Sequence, residues 1–340
     1  MHKTFSGEEF KHRGSFLPWT EKYRPLTLSD VASHESIIDV IRTFVVGNKL
    51  PHLLLHGPPG TGKTSTILAL THELYGPERS TMVLELNASD ARGIDVVRDE
   101  IQSFASTARP FSSAFKLVVM DECDSMTKDA QFALRRIVEK FTKHTRFCLV
   151  CNYASKIIPA LQSRCTKFRF APIEREAMSA RLRCVIQSEG LQISDECLEA
   201  IQQLGEGDMR RTLNVLQSAC LSASDMTIET IHDALGVLTE GEVLHVLQSL
   251  LQQPASSTLE SLKFLKRSKS FALLDLVKAL SEALFSVHLR PKVRAQLLKG
   301  LADIEQAVSF TSTEKIQTLS LISIFLHVRD EISTCSTSSR

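Results

Sequence analysis

Residues 50–76 read LPHLLLHGPPGTGKTSTILALTHELYG, and the order of residue types in this stretch sets the fold. A short apolar run, LLL, fits a buried strand. The helical spacing of TSTILALTHELY then runs to a closing Gly76. Between them Gly57, Pro58, Pro59, Gly60, Thr61, Gly62, Lys63 and Thr64 match the pattern GxxxxGK[ST] in the strand–loop–helix setting that the pattern requires. Small residues let successive backbone N–H groups close around phosphates, and the start of the following helix adds a favourable dipole. Lys63 is expected to reach the β and γ phosphates of a nucleotide, the Thr64 hydroxyl to ligate magnesium, and Ser65 to close the loop's contacts.

Working outward, MVLELNAS, FKLVVMDE, TRFCLVCN and KFRF read as further strands, and DVVRDEIQSFAST reads as a helix. Buried strands alternating with helices predict a parallel sheet covered on both faces. Asp121 and Glu122 follow the run FKLVVM. An aspartate at a strand end can hold magnesium, and the adjacent glutamate can orient or deprotonate an attacking water. With the phosphate-binding loop upstream, the pair predicts hydrolysis of ATP rather than binding alone. Ahead of the sheet, Pro18 and Pro25 in LPWTEKYRPLTLSD predict an extended strap, followed by a helix over 34–47. From Ile173 onward strands stop. Helices are predicted over 174–189, 194–204 and 208–221, and about five more over 241–331.

The expected organisation is a disordered leader (1–16), a nucleotide-binding domain (17–173), a helical lid (174–237), an all-helical domain (238–332) and a flexible tail (333–340). The leader lacks an apolar core long enough for a signal peptide, and no stretch has the length of a transmembrane helix. Eight scattered cysteines fit a reducing compartment, cytosol or nucleus. Cys148 and Cys151 form a CxxC, but their odd offset on a strand points them to opposite faces, as buried small hydrophobes. The net charge of +1 conceals an asymmetry: residues 128–170 hold ten Lys or Arg against two acids, and residues 189–242 hold eleven acids against two Arg. A basic face is therefore available for nucleic acid, although a solvated surface has the same composition.

The motifs GPPGTGKT, LNASDARGID, DECD, SRC and GDMRR occur in the order seen in the small subunits of replication factor C, and EKYRP upstream is also typical. The resemblance spans roughly residues 17–331. TRFCLVCNYASKIIPALQSRCTKFRF is most like the branch of that family numbered five in animals and three in budding yeast. It implies an α/β P-loop domain of the AAA+ class, then a small helical lid and an all-α collar. It also implies a nuclear ATP- and Mg2+-dependent subunit of a hetero-pentamer that opens a ring-shaped sliding clamp and loads it onto primed double-stranded DNA.

Carried over by position, the resemblance makes Asn152 the sensor of the γ-phosphate and Arg210 the lid arginine that reaches the nucleotide. Arg211 is the weaker candidate for that role. Arg164, in Ser163-Arg164-Cys165, becomes an arginine finger presented to a neighbouring subunit's ATP. Tyr23, Arg24 and Val31 fall where the family's strap packs around adenine and phosphates, though Val31 also fits a plain core position. Arg92, Arg98 and Lys156 fall where similar subunits track DNA phosphates, a contact that carries no base code. Val97, Ile101 and Phe104 are the candidate apolar contact with the clamp; core packing gives the same pattern. Two departures stand out, Ala91 for the usual aspartate and Cys123 for the usual alanine, and neither removes a proposed ligand. Competing readings are a nucleotide-regulated scaffold, another DNA-dependent ATPase of the class such as a branch-migration motor, and a small-molecule phosphotransferase.

Overall fold

The computed structural model describes residues 17–47, 49–89, 94–107, 115–222, 226–269, 271–310 and 313–337. The chain divides into two compact bodies, one through Gln217 and one from Ser218.

The first body is built on five parallel strands, β1 (His52–His56), β2 (Val83–Asn87), β3 (Lys116–Asp121), β4 (Thr145–Cys151) and β5 (Cys165–Arg169), in the spatial order β2-β3-β4-β1-β5. The sequence assigns the order of burial. HLLLH, KLVVMD and TRFCLVC are nearly continuous apolar runs and occupy the three central positions, where both faces are covered. VLELN and CTKFR alternate polar and apolar residues and lie at the two edges.

Helices α1 (Trp19–Lys22), α2 (Glu35–Val46), α3 (Lys63–Tyr75), α4 (Arg79–Met82), α5 (Ile94–Ser106), α6 (Lys128–Phe141) and α7 (Pro159–Gln162) accompany the sheet. One face packs Leu53, Leu55, Val119 and Cys148 with Ile41 of α2 and Ile67 and Leu70 of α3. The other packs Leu54, Val118, Phe147 and Cys151 with Ile101 of α5 and Leu134 and Ile137 of α6. Cys148 and Cys151 thus lie in opposite cores, as the odd offset predicts, and both are free thiols. Burial pushes the Cys151 thiol up to about 12 and Cys148 well above its usual value, so neither is a nucleophile near neutral pH. Cys123 is also buried, its Sγ 3.2 Å from the Met120 carbonyl, and the packing absorbs the departure from alanine.

One expectation needs correction. The strap is not extended throughout. Pro18, with φ −55°, precedes the single turn α1, whose Glu21 and Lys22 amides bond the Pro18 carbonyl, and the turn stops ahead of Pro25. A 3-10 turn over Leu28–Asp30 follows, held by reciprocal Thr27–Asp30 capping. Of the two readings of the α5 stripe, core packing holds for Ile101 and Phe104, while the side chain of Val97 lies outside what the structure describes. Ile101 is 1% exposed in the core, and Phe104 packs against the same cluster under the Lys116 ammonium, 4.7 Å from its ring centre.

His52 gives the first body a pH dependence. It is buried at the β1–β4 pair, its Nδ1 accepts the Phe147 amide proton at 3.1 Å, and desolvation lowers its pKa to about 4. The unfolded chain therefore takes up a proton near pH 6.5 that the folded chain refuses until about pH 4. The stabilisation is complete above pH 6.5 and is lost on acidification across that window, up to about 3 kcal/mol in all. Urea unfolding at pH 7.5 and pH 5 should show this loss, and His52→Gln should flatten it.

The first body continues with α8 (Arg175–Glu189), α9 (Asp195–Gly205) and α10 (Met209–Ser222), the last running past the division between the bodies. The second body holds α11 (Ile228–Leu235), α12 (Glu240–Gln252), α13 (Ala255–Lys269), α14 (Leu273–Ser286), α15 (Pro291–Phe310) and α16 (Glu314–Thr337). Leu250, Leu280, Leu284, Leu297, Leu321 and Phe325 are its fully buried centre. Thr239 and Glu242 form a capping box at the start of α12, and the Arg329 guanidinium bonds the Leu250, Ser249 and Gln253 carbonyls at its end. No described helix is long and apolar enough to cross a membrane.

Candidate active site

The strand order decides which loops meet. β3, β4 and β1 are adjacent and parallel, so the segments leaving their carboxyl ends converge: Glu122 after β3, Asn152 after β4 and the GPPGTGKT loop after β1. They open onto a cleft of about 300 Å³ in the first body. Lys63, Thr64, Asp121, Glu122, Asn152 and Arg210 all line it.

The loop's shape follows from its glycines. Gly60 and Gly62 have φ of +65° and +94°, a region that only glycine enters without strain. A Cβ on Gly60 would lie 1.6 Å from Asp208 Oδ1, and the Met209 amide donates to the Gly60 carbonyl at 3.1 Å. The first turn of α10 is therefore seated on the loop, and this seating brings Arg210 to the cleft. Gly60→Ala is expected to weaken nucleotide binding by about tenfold, since the left-handed strain costs roughly 1–2 kcal/mol and the lid must also move aside. Titration with a fluorescent ATP analogue measures the loss.

Lys63 is 7% exposed, and its Nζ donates to the Gly57 carbonyl (2.8 Å), the Pro58 carbonyl (2.7 Å) and Asn152 Oδ1 (3.1 Å). Burial lowers its pKa, with Asp121 opposing and the like charge of Arg210 reinforcing the shift. Two cations converging in one cleft, beside a nest of loop amides, form a receptor for a polyanion. Beside them the Thr64 hydroxyl donates to Asp121 Oδ2 at 2.8 Å. A hydroxyl and a carboxylate in contact are a fit for Mg2+, which takes one or two protein oxygens and completes its shell with phosphate and water. Thr64 and Asp121 are the residues that would hold it.

Glu122 adopts φ 53° and ψ 36°, a left-handed conformation costly for a non-glycine residue and frequent at functional positions. Its amide donates to Asp121 Oδ1 at 2.8 Å, and Ser125 bonds its carbonyl through both amide and hydroxyl. The turn places Glu122 in the lining of the cleft. Asn152 is held through its amide by Asp124 Oδ1 (3.4 Å), and the loop beyond it by Gln131, which bonds the Lys156 carbonyl and the Ile158 amide.

The other end of the cleft is formed by the strap. Tyr23, Arg24 and Val31 line it, and Val31 is also 6% exposed in the sheet core. Gly57 and Pro58 contribute carbonyls to Lys63, while Pro59, Gly60, Thr61, Gly62 and Ser65 line the cleft itself.

Comparison with known proteins agrees with this architecture. The profile of the ATPase family associated with various cellular activities matches residues 53–173, and that of the replication factor C C-terminal domain matches residues 239–323. The mouse replication factor C subunit 5 is 50% identical over 321 residues, covering 94% of this chain and 95% of the relative. The chain belongs to the replication factor C family. Subunit 3 of Saccharomyces cerevisiae, 47% identical with 88% of this chain and 90% of the relative covered, agrees with that branch. The Holliday junction branch migration motor RuvB of Thermotoga maritima superposes with a TM-score of 0.52 at 16% identity, covering 79% of this chain and 94% of that one, which is a likeness of fold alone.

Within the replication factor C frame the remaining predicted residues fall elsewhere. Arg164 follows α7, away from the cleft; its guanidinium pairs with Glu139 of α6 and donates to the Ala160 carbonyl at 2.6 Å. Arg211 points to Glu206, 3.0 Å away, whereas Arg210 lines the cleft. Lys156 is exposed beside Tyr153. Arg98 lies on α5, whereas Arg92 and Ala91 fall outside the described residues. Sequence reasoning missed Asp208, whose only local signal is a helix-start position in GDMRR, where its carboxylate accepts the Arg211 amide proton at 3.1 Å. It also missed Arg181, which lines the strap end of the cleft.

Proposed function

We propose that this chain is an ATP-hydrolysing subunit of a replication factor C-type clamp loader, working in the nucleus within a hetero-pentamer that opens a ring-shaped clamp and loads it onto primed DNA. Lys63, the loop amides and Arg210 bind and orient the triphosphate. Thr64 and Asp121 would hold Mg2+, which would supply neutralisation of phosphate charge. Glu122 orients the attacking water and accepts its proton, and Asn152 holds that water against the γ-phosphate.

The observation that carries the assembly is Arg164. Every other catalytic candidate lines the cleft, and this arginine stands on the exposed surface beside Glu139, available to ATP bound by a neighbour. Lys156, with Arg92 and Arg98, is the proposed DNA-tracking set, acting on phosphates without base reading. The test is the ATPase rate of the chain alone and co-assembled with the other replication factor C subunits, with and without primed DNA and clamp. Stimulation by each addition is expected. Full-speed hydrolysis by the isolated chain, indifferent to clamp and DNA, would sink the loader reading and leave a self-contained ATPase.

A further inference from the structure

The strap that closes the base end of the cleft is fastened at two places. Its second half joins the sheet side: the Leu28 amide donates to Glu73 Oε1 of α3 at 2.7 Å, and Val31 enters the core. Its first half is fastened to the lid helices. Glu189, the last residue of α8, accepts from Lys22 Nζ at 2.6 Å and from the Tyr23 hydroxyl. Arg181, about two turns earlier and only 3% exposed, donates from Nη2 to the Tyr23 carbonyl at 2.8 Å. The Trp19 amide donates to Gln217 of α10 at 3.1 Å, and the Trp19 and Tyr23 rings meet edge to face.

These bonds cross the cleft on the far side from the phosphates. Since the GPPGTGKT loop fixes the phosphate end, a bound nucleotide's base lies against Thr20, Tyr23 and Arg24. We infer that Glu189 and Arg181 are positioning residues that clasp the strap to the lid and thereby set the affinity and identity of the purine base. The physical case is one of desolvation. The buried Arg181 guanidinium that donates to the Tyr23 carbonyl holds the Tyr23–Arg24 backbone in register, because moving the carbonyl away leaves a buried donor short of a bond. Glu189, near the surface but bonded to two successive strap side chains, fixes Tyr23 itself. Bases presented to a rigid wall are discriminated by hydrogen-bond groups that a mobile wall would let readjust. The clasp also ties base occupancy to lid position, since the same helical group that carries Arg210 carries the strap's anchors.

The inference rests on the cleft's being the nucleotide site and not on clamp loading, so it is tested on the isolated full chain. The probes are ATP, GTP and inorganic tripolyphosphate, which has the phosphates and no base, each competing with a fluorescent ATP analogue. Glu189→Gln and Arg181→Met are expected to weaken ATP by about tenfold, the scale of one charge-assisted hydrogen bond, to narrow the ATP-to-GTP preference, and to leave tripolyphosphate unchanged. In the assembled complex they should raise KM at unchanged kcat, and Arg181→Lys, which keeps a donor, should recover part of the affinity. A parallel loss of tripolyphosphate affinity, or an ATP-to-GTP ratio that stays at the wild-type value, would overturn the clasp. Wild-type protein that binds ATP without binding tripolyphosphate would overturn the reading of the cleft's polarity and the clasp with it.

Discussion

Glu122→Gln should slow hydrolysis at this chain's own site by about 10²- to 10⁴-fold, the range of a lost general base, with ATP still bound. The substitution is nearly isosteric and leaves the backbone as it is. The left-handed turn at Glu122 is held by bonds of its own amide and carbonyl to Asp121 and Ser125, none of which uses the side chain. Glutamine therefore occupies the same place with an amide that cannot take a proton. Asp121→Asn should behave differently: Asp121 Oδ2 is the acceptor for Thr64 and its Oδ1 for the Glu122 amide, so both magnesium-dependent binding and the turn suffer. Single-turnover hydrolysis read beside equilibrium ATP binding separates the two. A Glu122→Gln chain that loses binding as severely as hydrolysis would remove Glu122 from the role of base and make it structural.

The parts of this site that were legible in the sequence are those whose chemistry is local. GPPGTGKT carries its mechanism in consecutive residues, and the placement of Asp121-Glu122 needs only the recognition that LVVM is a buried strand. The pairing of Cys148 and Cys151 with opposite cores followed from strand periodicity alone. What stayed hidden depends on distance along the chain. Arg181 meets Tyr23 across 158 residues, and an arginine on α8 has no sequence signal that separates it from a solvated one. Asp208 reads as a helix start, and only the folded chain reveals that its carboxylate fills the space a Cβ on Gly60 would need. At α5 the sequence left two readings open. An amphipathic stripe says that one face is apolar and is silent about what covers it; for Ile101 the cover is the sheet of the same chain.

Arg164→Ala should lower hydrolysis at the adjoining subunit's site by about 10³-fold or more, the contribution of an arginine finger, and spare nucleotide binding by this chain. Its own cleft is complete without Arg164, which is bonded instead to Glu139 and the Ala160 carbonyl. The pair with Glu139 is exposed and shared with Arg135, 3.0 Å away, so its loss contributes little to stability and the variant should fold. In the proposed role Glu139 would hold the guanidinium near the surface in the free chain and yield it to the more concentrated charge of a neighbour's triphosphate. Lysine at position 164 keeps the charge but not the planar fork, so Arg164→Lys should restore only part of the rate. The measurement assembles the complex with the phosphate-loop lysines of all other subunits disabled except the neighbour whose ATP faces this chain, then compares wild type, Arg164→Ala and Arg164→Lys under saturating ATP. Equal rates for wild type and Arg164→Ala would mean that the neighbour's site draws its cation from elsewhere. Loss of ATP binding by the isolated Arg164→Ala chain would instead return Arg164 to its own cleft.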